Sequence, residues 1–449
     1  MLLIFALSSQ KGTYMKRFFL SAVLMTSCLA FSQAQAPAPA PASSTAQATD
    51  QKIKDLEERV IALEGQLRML ESKQQAAAAP APTTAPATPS PTSQAAAPEQ
   101  AQVTAERGQV PVYGGATGQA KALNPDISLI GDFLAAVGHN TARPVPTLEM
   151  HEAELGLQAI IDPYARADAF ISFGEPGVNL EEGYLTFTAL PAGIVARAGK
   201  MRAAFGKVNT LHNHVLPWTD RPLVTENLVG GEDGIDDAGV SITRAFEGPK
   251  GLFIEGTGQV FRGDSDDVFK AIRREDVSTV GHLRAYKDIT ESTNLDIGAS
   301  YSRGHNDAGL LLAPQFQNDF VTNLYGADAT VRWKPLRRAI YHSFVGRTEF
   351  IWSDRQQFPA AQHAFGMYAS GDYQLARRWF VGARYDHSER ARDAAQVDKG
   401  GSFIVTYWPS EFAQLRAQYR HTDYAEQKNV NELRLQLQFA MGAHGAHPF

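Results

Sequence analysis

Two histidines one residue apart, His212 and His214, lie in FGKVNTLHNHVLPWTDRPLVTENLVGGEDGIDD, residues 205–237. On an extended segment, alternate side chains share a face, so both imidazoles can reach one metal ion. No third ligand stands at usable spacing, so no metal is expected, and the pair reads as hydrogen-bonding groups. Glu226, Glu232, Asp233, Asp236 and Asp237 make the later part acidic. That fits either a solvated loop tip or a mouth that attracts cations. A second pair, His444 and His447, reads as a solvated tail.

Hydrolytic, phosphate-binding and dinucleotide motifs do not occur in a credible setting. The adjacent acids Glu181 and Glu182 suggest no pocket. The chain is therefore expected to be no enzyme and to carry no cofactor. Its one cysteine, Cys28, falls in a candidate leader, which leaves no thiol for disulfides, zinc or nucleophilic chemistry. A formal charge of -6 over 449 residues, with no basic stripe, argues against nucleic acid as a partner.

The elements before the loop are of three kinds. Residues 1–36 are expected to be a signal peptide, with Met15 a candidate true start. Lys16 and Arg17 precede an apolar run, and the small residues Ser32 and Ala34 precede a cleavage site after Ala34 or Ala36. Residues 37–49 and 76–120 are Ala/Pro-rich linkers. Between them, residues 50–75 carry Ile53, Leu56, Val60, Leu63, Leu67 and Leu70 at alternating spacings of three and four. That is a coiled-coil seam, expected to drive homo-oligomerisation because linkers isolate it from any core of its own.

Residues 121–449 change to a period of two. About sixteen strands are expected between 126 and 441, including 321–333, 339–352, 401–408, 412–423 and 432–441. Many reach ten residues, which suits a tilted strand crossing a bilayer. Connections after even-numbered strands read as tight turns. Those after odd-numbered strands read as generally longer, including GEPG, 263–278, 304–320, 389–400 and, longest, 203–236. Short turns at one rim and longer loops at the other are the habit of transmembrane barrels.

The two faces of each strand differ sharply. On 412–423, Leu415, Ala417 and Tyr419 oppose Arg416, Gln418 and Arg420. Ionised groups face a wet lumen at little cost, whereas a dry core would penalise them. The expected architecture is all-β, an antiparallel transmembrane barrel of about sixteen strands. Arg166, Asp168, Glu182, Arg197, Arg332, Arg347, Arg384, Arg416, Arg420 and Arg434 are expected to line its pore. His212, His214, Trp218, Asp220, Arg221 and Glu226 belong to a loop expected to narrow it. Inward acids such as Glu154, Asp168, Glu182, Glu255 and Asp296 concentrate in the first nine strands, and inward arginines in the rest. Facing halves of opposite charge would set a transverse field across the lumen.

AGKMRAAFGKVNTL at 198–211 resembles a segment of phosphate-selective and related porins, where a strand ends in Gly-Lys and Phe-Gly before a constricting loop. Gly199, Lys200, Phe205 and Gly206 carry the match. The terminal Phe449 is similar to the assembly signal of bacterial outer-membrane proteins. The resemblance implies an outer-membrane setting, trimers and passive diffusion. Phosphate selectivity is not carried over, because this loop and the whole chain are acidic. The expected function is passive diffusion of small hydrophilic solutes or ions, with the N-terminal segment in the periplasm. An envelope-tethering barrel is the alternative; a phosphate channel or a receptor-type transporter fits less well.

Overall fold

The computed structural model describes residues 125–175, 177–265, 267–310 and 320–442. The candidate leader, linkers, coiled-coil seam and tail histidines lie outside these residues. Sixteen strands follow in order: β1 (Asp126–Gly138), β2 (Leu148–Asp162), β3 (Ala165–Gly174), β4 (Gly177–Phe187), β5 (Ile194–Arg202), β6 (Asp236–Glu247), β7 (Leu252–Phe261) and β8 (Ser278–Thr290). Then come β9 (Thr293–His305), β10 (Val321–Trp333), β11 (Phe344–Arg355), β12 (Gln362–Ala376), β13 (Trp379–Arg390), β14 (Asp393–Ser410), β15 (Ala413–Tyr424) and β16 (Lys428–Gly442). Each pairs antiparallel with its sequence neighbours, and β1 pairs with β16, so the sheet closes into a barrel. Closure leaves no sheet edge to satisfy, which is what a strand-built wall in hydrocarbon requires.

Alternation decides which side of the wall each residue faces. On β10, Leu324, Asp328 and Thr330 point inward and are buried, while Tyr325 and Val331 are exposed outside. On β16, Leu433, Leu435, Leu437, Phe439 and Met441 are all exposed on the exterior. Two aromatic rows bound this apolar band. Tyr325 lies opposite Tyr301 and Trp352, and Trp352 lies opposite Phe365. In the other row, Trp333 faces Phe344 and Phe344 faces Tyr373, while Trp379 and Tyr407 stack with centroids 4.5 Å apart. From Tyr325 to Trp333 is about 27 Å of strand, or about 20 Å of height once the strand tilts. This exterior is matched to a bilayer.

Three connections depart from the expected pattern. β14 begins at Asp393 instead of 401, so 389–400 forms a tall hairpin in place of a long loop. The run DAAQVDKG stands beyond the apolar band, where neither face meets lipid, and it therefore shows no alternation. Its ladder is held by pairings such as Asp398 with Ser388, and by Arg390, which salt-bridges Asp398 and Glu426 at 3.0 and 2.7 Å. β11 begins at Phe344 instead of 339, because Tyr341 and His342 both donate backbone N–H to the Arg338 carbonyl and form a turn. The GEPG loop is tight, with β3 ending at Gly174 and β4 starting at Gly177.

The hydrophobic core lies inside the barrel. Phe205, Val208, Leu216, Trp218, Val224 and Leu228, all from the β5–β6 connection, pack against inward-facing Val280, Leu324, Ile351, Tyr368 and Ile404. A sixteen-stranded wall encloses more space than its own side chains can fill, and this connection occupies part of it. Hence the inward face is not uniformly polar, contrary to the simple wet-lumen expectation.

Leu437→Arg puts a cation on the lipid side near mid-height and should lower unfolding free energy in vesicles by about 2–4 kcal/mol. Thr243→Lys, on the inward face beside Thr257, should change it by ~0.5 kcal/mol or less. Urea titration of the refolded barrel reads both.

Candidate functional site

The connection 203–235 enters through the segment 199–206, whose residue types have geometric causes. Gly199 has φ of +142°, and a Cβ there would lie 2.2 Å from the Gly183 carbonyl oxygen. Gly206 has φ of +61°, and a Cβ there would lie 2.2 Å from Glu349 Oε1. Glycine is required at 199, where the backbone of β4 leaves no room, and at 206 a side chain would displace the Glu349 carboxylate. Between them Phe205 is buried, and Lys200 bridges Asp236 at 2.8 Å. Gly206 N–H donates to Ser300 Oγ at 2.9 Å, Lys207 N–H donates to Glu349, and Lys207 Nζ meets Asp296 at 2.5 Å. These contacts turn the chain away from the wall and into the barrel.

Farther on, the loop crosses to strands β13–β16. Asp220 accepts from Arg384 at 3.0 Å and from Gln418 at 2.6 Å, and its second oxygen lies 2.8 Å from Arg420. Burial alone would raise the Asp220 carboxyl, but Arg384, Arg420 and Arg434 outweigh it and hold it well below the usual carboxylate range. The Arg384 guanidinium sits 4.9 Å from the Trp218 ring, and Arg416 donates to the Trp218 carbonyl at 3.0 Å. Arg221 clips the loop to itself by donating to the carbonyls of Val208 at 3.0 Å and Leu211 at 2.6 Å. Burial and the nearby Arg202 charge lower its guanidinium to about 10. The short helix α1 (Leu223–Leu228) follows; Leu223 N–H donates to Asp386, and Glu226 lies 3.5 Å from Arg143 of the β1–β2 connection.

On β2 and β4 the loop meets acids. His212 Nδ1 lies 2.6 Å from Glu154 and 3.1 Å from Glu181, and its Nε2 lies 2.9 Å from Glu182. Burial opposes a charge on His212, but these three carboxylates outweigh it and raise its pKa well above the ordinary value. His214 Nδ1 stands 3.5 Å from Glu154 and 4.0 Å from Glu152. The expectation that the pair lacks a third metal-type ligand is corrected: Glu154, His212 and His214 converge to within 4.8 Å. The missing ligand comes from a strand some 58 residues earlier, where local spacing cannot reveal it.

Two β-bulges build this cluster. The register shifts where Phe170 pairs with Glu182 but Ile171 with Leu180, so Glu181 is the extra residue and both acids turn inward. A second shift, between Asp132 and Phe133, makes His151 the extra residue beside Glu152. His151 Nε2 then reaches Glu232 of the loop at 2.8 Å. Glu149, His151 and Glu181 are the inward residues that alternation misses. The available signals are the Glu181-Glu182 dipeptide, which can face one way only through a bulge, and the density of EMHEAE at 149–154.

Of the remaining residues singled out in the sequence, Arg166 pairs with buried Asp168 at 2.5 Å, and Arg197 lies 5.1 Å from the Tyr184 ring. Arg332 stands 3.7 Å from Asp296, Arg347 pairs with Asp372 at 2.5 Å, and Arg434 stands 3.5 Å from Glu432. All are on the inward face. The expected opposition of acidic and basic halves is replaced by local pairing. The β2–β4 acids and the β13–β16 arginines together take up half of the ring, from β13 to β4 through the β16–β1 seam. Between the loop and β1, β2 and β16 lies a cavity of about 230 Å³. Asp132, Glu149, His151 and Glu232 line it together with Arg143, Arg221, Arg420 and Arg434.

No family model matches the chain. An uncharacterized protein of Aquifex aeolicus (strain VF5) is 28% identical, over 73% of this chain and 81% of the relative. Among solved structures, OmpTdeltaL8 of Vibrio cholerae, a loop L8 deletion mutant of an outer membrane protein, is similar at 11% identity and a TM-score of 0.49. That match covers 71% of this chain and 99% of that one. An anion-selective porin from Comamonas acidovorans is similar at 10% identity and 0.48, covering 71% and 99%. The outer membrane channel DcaP of Acinetobacter baumannii is similar at 11% and 0.47, covering 71% and 96%. At such identities none of these chains assigns a role to a residue here.

Asp220→Ala leaves Arg384 and Arg420 buried without their shared carboxylate and should cost about 3–5 kcal/mol of stability in urea titration. The same titration against pH fixes the sign. A depressed folded pKa means that the contribution is fully present above the ordinary carboxylate value of about 3.9 and is lost as pH falls through the folded value. The gap between wild type and Asp220→Asn should therefore stay flat from about pH 8 to 5 and close only in stronger acid.

Proposed function

We propose that this protein is an outer-membrane porin through which small hydrophilic solutes or ions diffuse passively, past a constriction made by loop 203–235. The observation that carries this reading is the charged gap beside the loop. It is lined by ionised groups of both signs, inside a barrel whose exterior is apolar. A passage of that kind lowers the barrier for hydrated ions and polar molecules and penalises apolar ones. Arg434, Arg420 and Arg221 on one side, with Glu149, His151 and Glu232 on the other, set its selectivity. Inward arginines elsewhere, such as Arg166, Arg197, Arg332 and Arg347, line the approach. Homo-oligomers, trimers by the family resemblance, assemble in outer-membrane lipid, with the segment 50–75 on the periplasmic side.

A second reading, a plugged barrel that tethers the envelope, is favoured by one observation. The loop contacts wall residues in many sectors, from Glu154 on β2 through Asp296 on β9 and Glu349 on β11 to Gln438 on β16. Currents across planar bilayers separate the two readings. The porin gives steady ohmic single-channel steps, and Arg434→Glu moves the reversal potential in a salt gradient toward cation preference. Electrical silence of folded protein would favour the tether.

A further inference from the structure

We propose that the chain binds one divalent transition-metal ion of the zinc class, held by Glu154, His212 Nδ1 and His214 Nδ1 and completed by Glu152 or Glu181. Metal bonds to nitrogen and carboxylate oxygen run about 2.0–2.2 Å, so two ligands of a tetrahedral ion stand about 3.3–3.6 Å apart. His214 to Glu154, at 3.5 Å, lies in that range, and His212 to Glu154 and Glu181, at 2.6 and 3.1 Å, lie below it, so the two pairs open slightly to admit an ion. Imidazole nitrogen among carboxylates selects zinc-like ions over magnesium or calcium, which prefer all-oxygen shells.

Three further observations point to a ligand. Glu152 is 5% exposed, and its Oε1 makes no hydrogen bond. That oxygen stands 4.0 Å from His214 Nδ1, near enough for two atoms to share an ion. His212 Nε2 is engaged by Glu182 at 2.9 Å. A carboxylate on the far ring nitrogen favours the tautomer with its proton on Nε2, the usual outer partner of a metal-bound histidine, so that Nδ1 exchanges its contact with Glu154 for a shared ion. Finally, the walls supply Glu152, Glu154, Glu181 and Glu182, while Arg202 is the arginine in contact with them, 2.9 Å from Glu181. With neutral imidazoles, a dication removes most of the remaining buried negative charge.

The ligands come from three places: β2, the β4 bulge and the 3₁₀ turn Asn213–Val215 with its preceding residue His212. A bound ion therefore latches the loop to the wall, whatever passes through the barrel. The test is calorimetric titration of Zn2+ into the full chain, purified without a polyhistidine tag, stripped with chelator and held in detergent. Bound metal is counted by elemental analysis. The expected result is one ion per chain. Its affinity should fall in His212→Ala/His214→Ala by more than the roughly 100-fold seen at the top of the range for outer-partner changes. It should also fall in the near-isosteric Glu154→Gln, and stay unchanged in His444→Ala/His447→Ala. Heat-modifiable gel mobility verifies that each variant is folded. Zn2+ affinity equal in wild type and the loop variants, loss of binding in the tail variant, or no binding below millimolar Zn2+ would overturn the proposal.

Discussion

The contact between Asp220 and the guanidinium groups of Arg384 and Arg420 is the constraint on which the interior depends. Those arginines are on the inward face of β13 and β15 and are nearly wholly buried. Left alone, each would be a desolvated charge of high cost. Asp386 on the same strand offsets Arg384 in part, the loop delivers a second carboxylate that both arginines share, and the same stretch carries Trp218 onto Arg384 and Tyr368. The middle of the loop is thus fixed at Asp220 and its start by Lys207 on Asp296, and its apolar side chains fill space that a wall this wide cannot fill itself.

The acidic cluster on β2 and β4 is the counterpart of this arrangement. Two bulges place more carboxylates on the inward face than regular alternation allows, and the loop answers with His212, His214 and Asn213. Asn213 donates to Glu232 at 2.5 Å and to Glu152 at 3.3 Å. Wall and loop therefore exchange charge in both directions. The loop gives an acid to the basic sector and imidazoles to the acidic one, and the remaining gap between the two sectors is lined by both signs.

Much of the wall was legible in the sequence because the physics is local. A strand with lipid on one side and polar interior on the other must alternate, so Leu433 to Met441 could be placed without coordinates. Legibility failed where a local rule lapsed. Residues 393–400 stand beyond the lipid-facing band and so carry no period. Residues 339–343 look strand-like but close a turn on Arg338. Glu181 and His151 sit at bulges, where alternation slips by one residue and puts neighbours on the same face. The site was less legible than the wall, because its contacts join residues far apart in the chain. The four glycine-motif residues at 199–206 were found, yet their cause is steric entry into the barrel and says nothing about the solute.

Loop 203–235 packs inside the barrel, and the proposed function requires it to limit flow. The most direct measure of that limit is the single-channel conductance of a chain in which residues 210–230 are replaced by a short Gly/Ser linker, with folding verified by heat-modifiable mobility. The account predicts a conductance several-fold above that of the intact protein. An unchanged conductance in a folded barrel would contradict it.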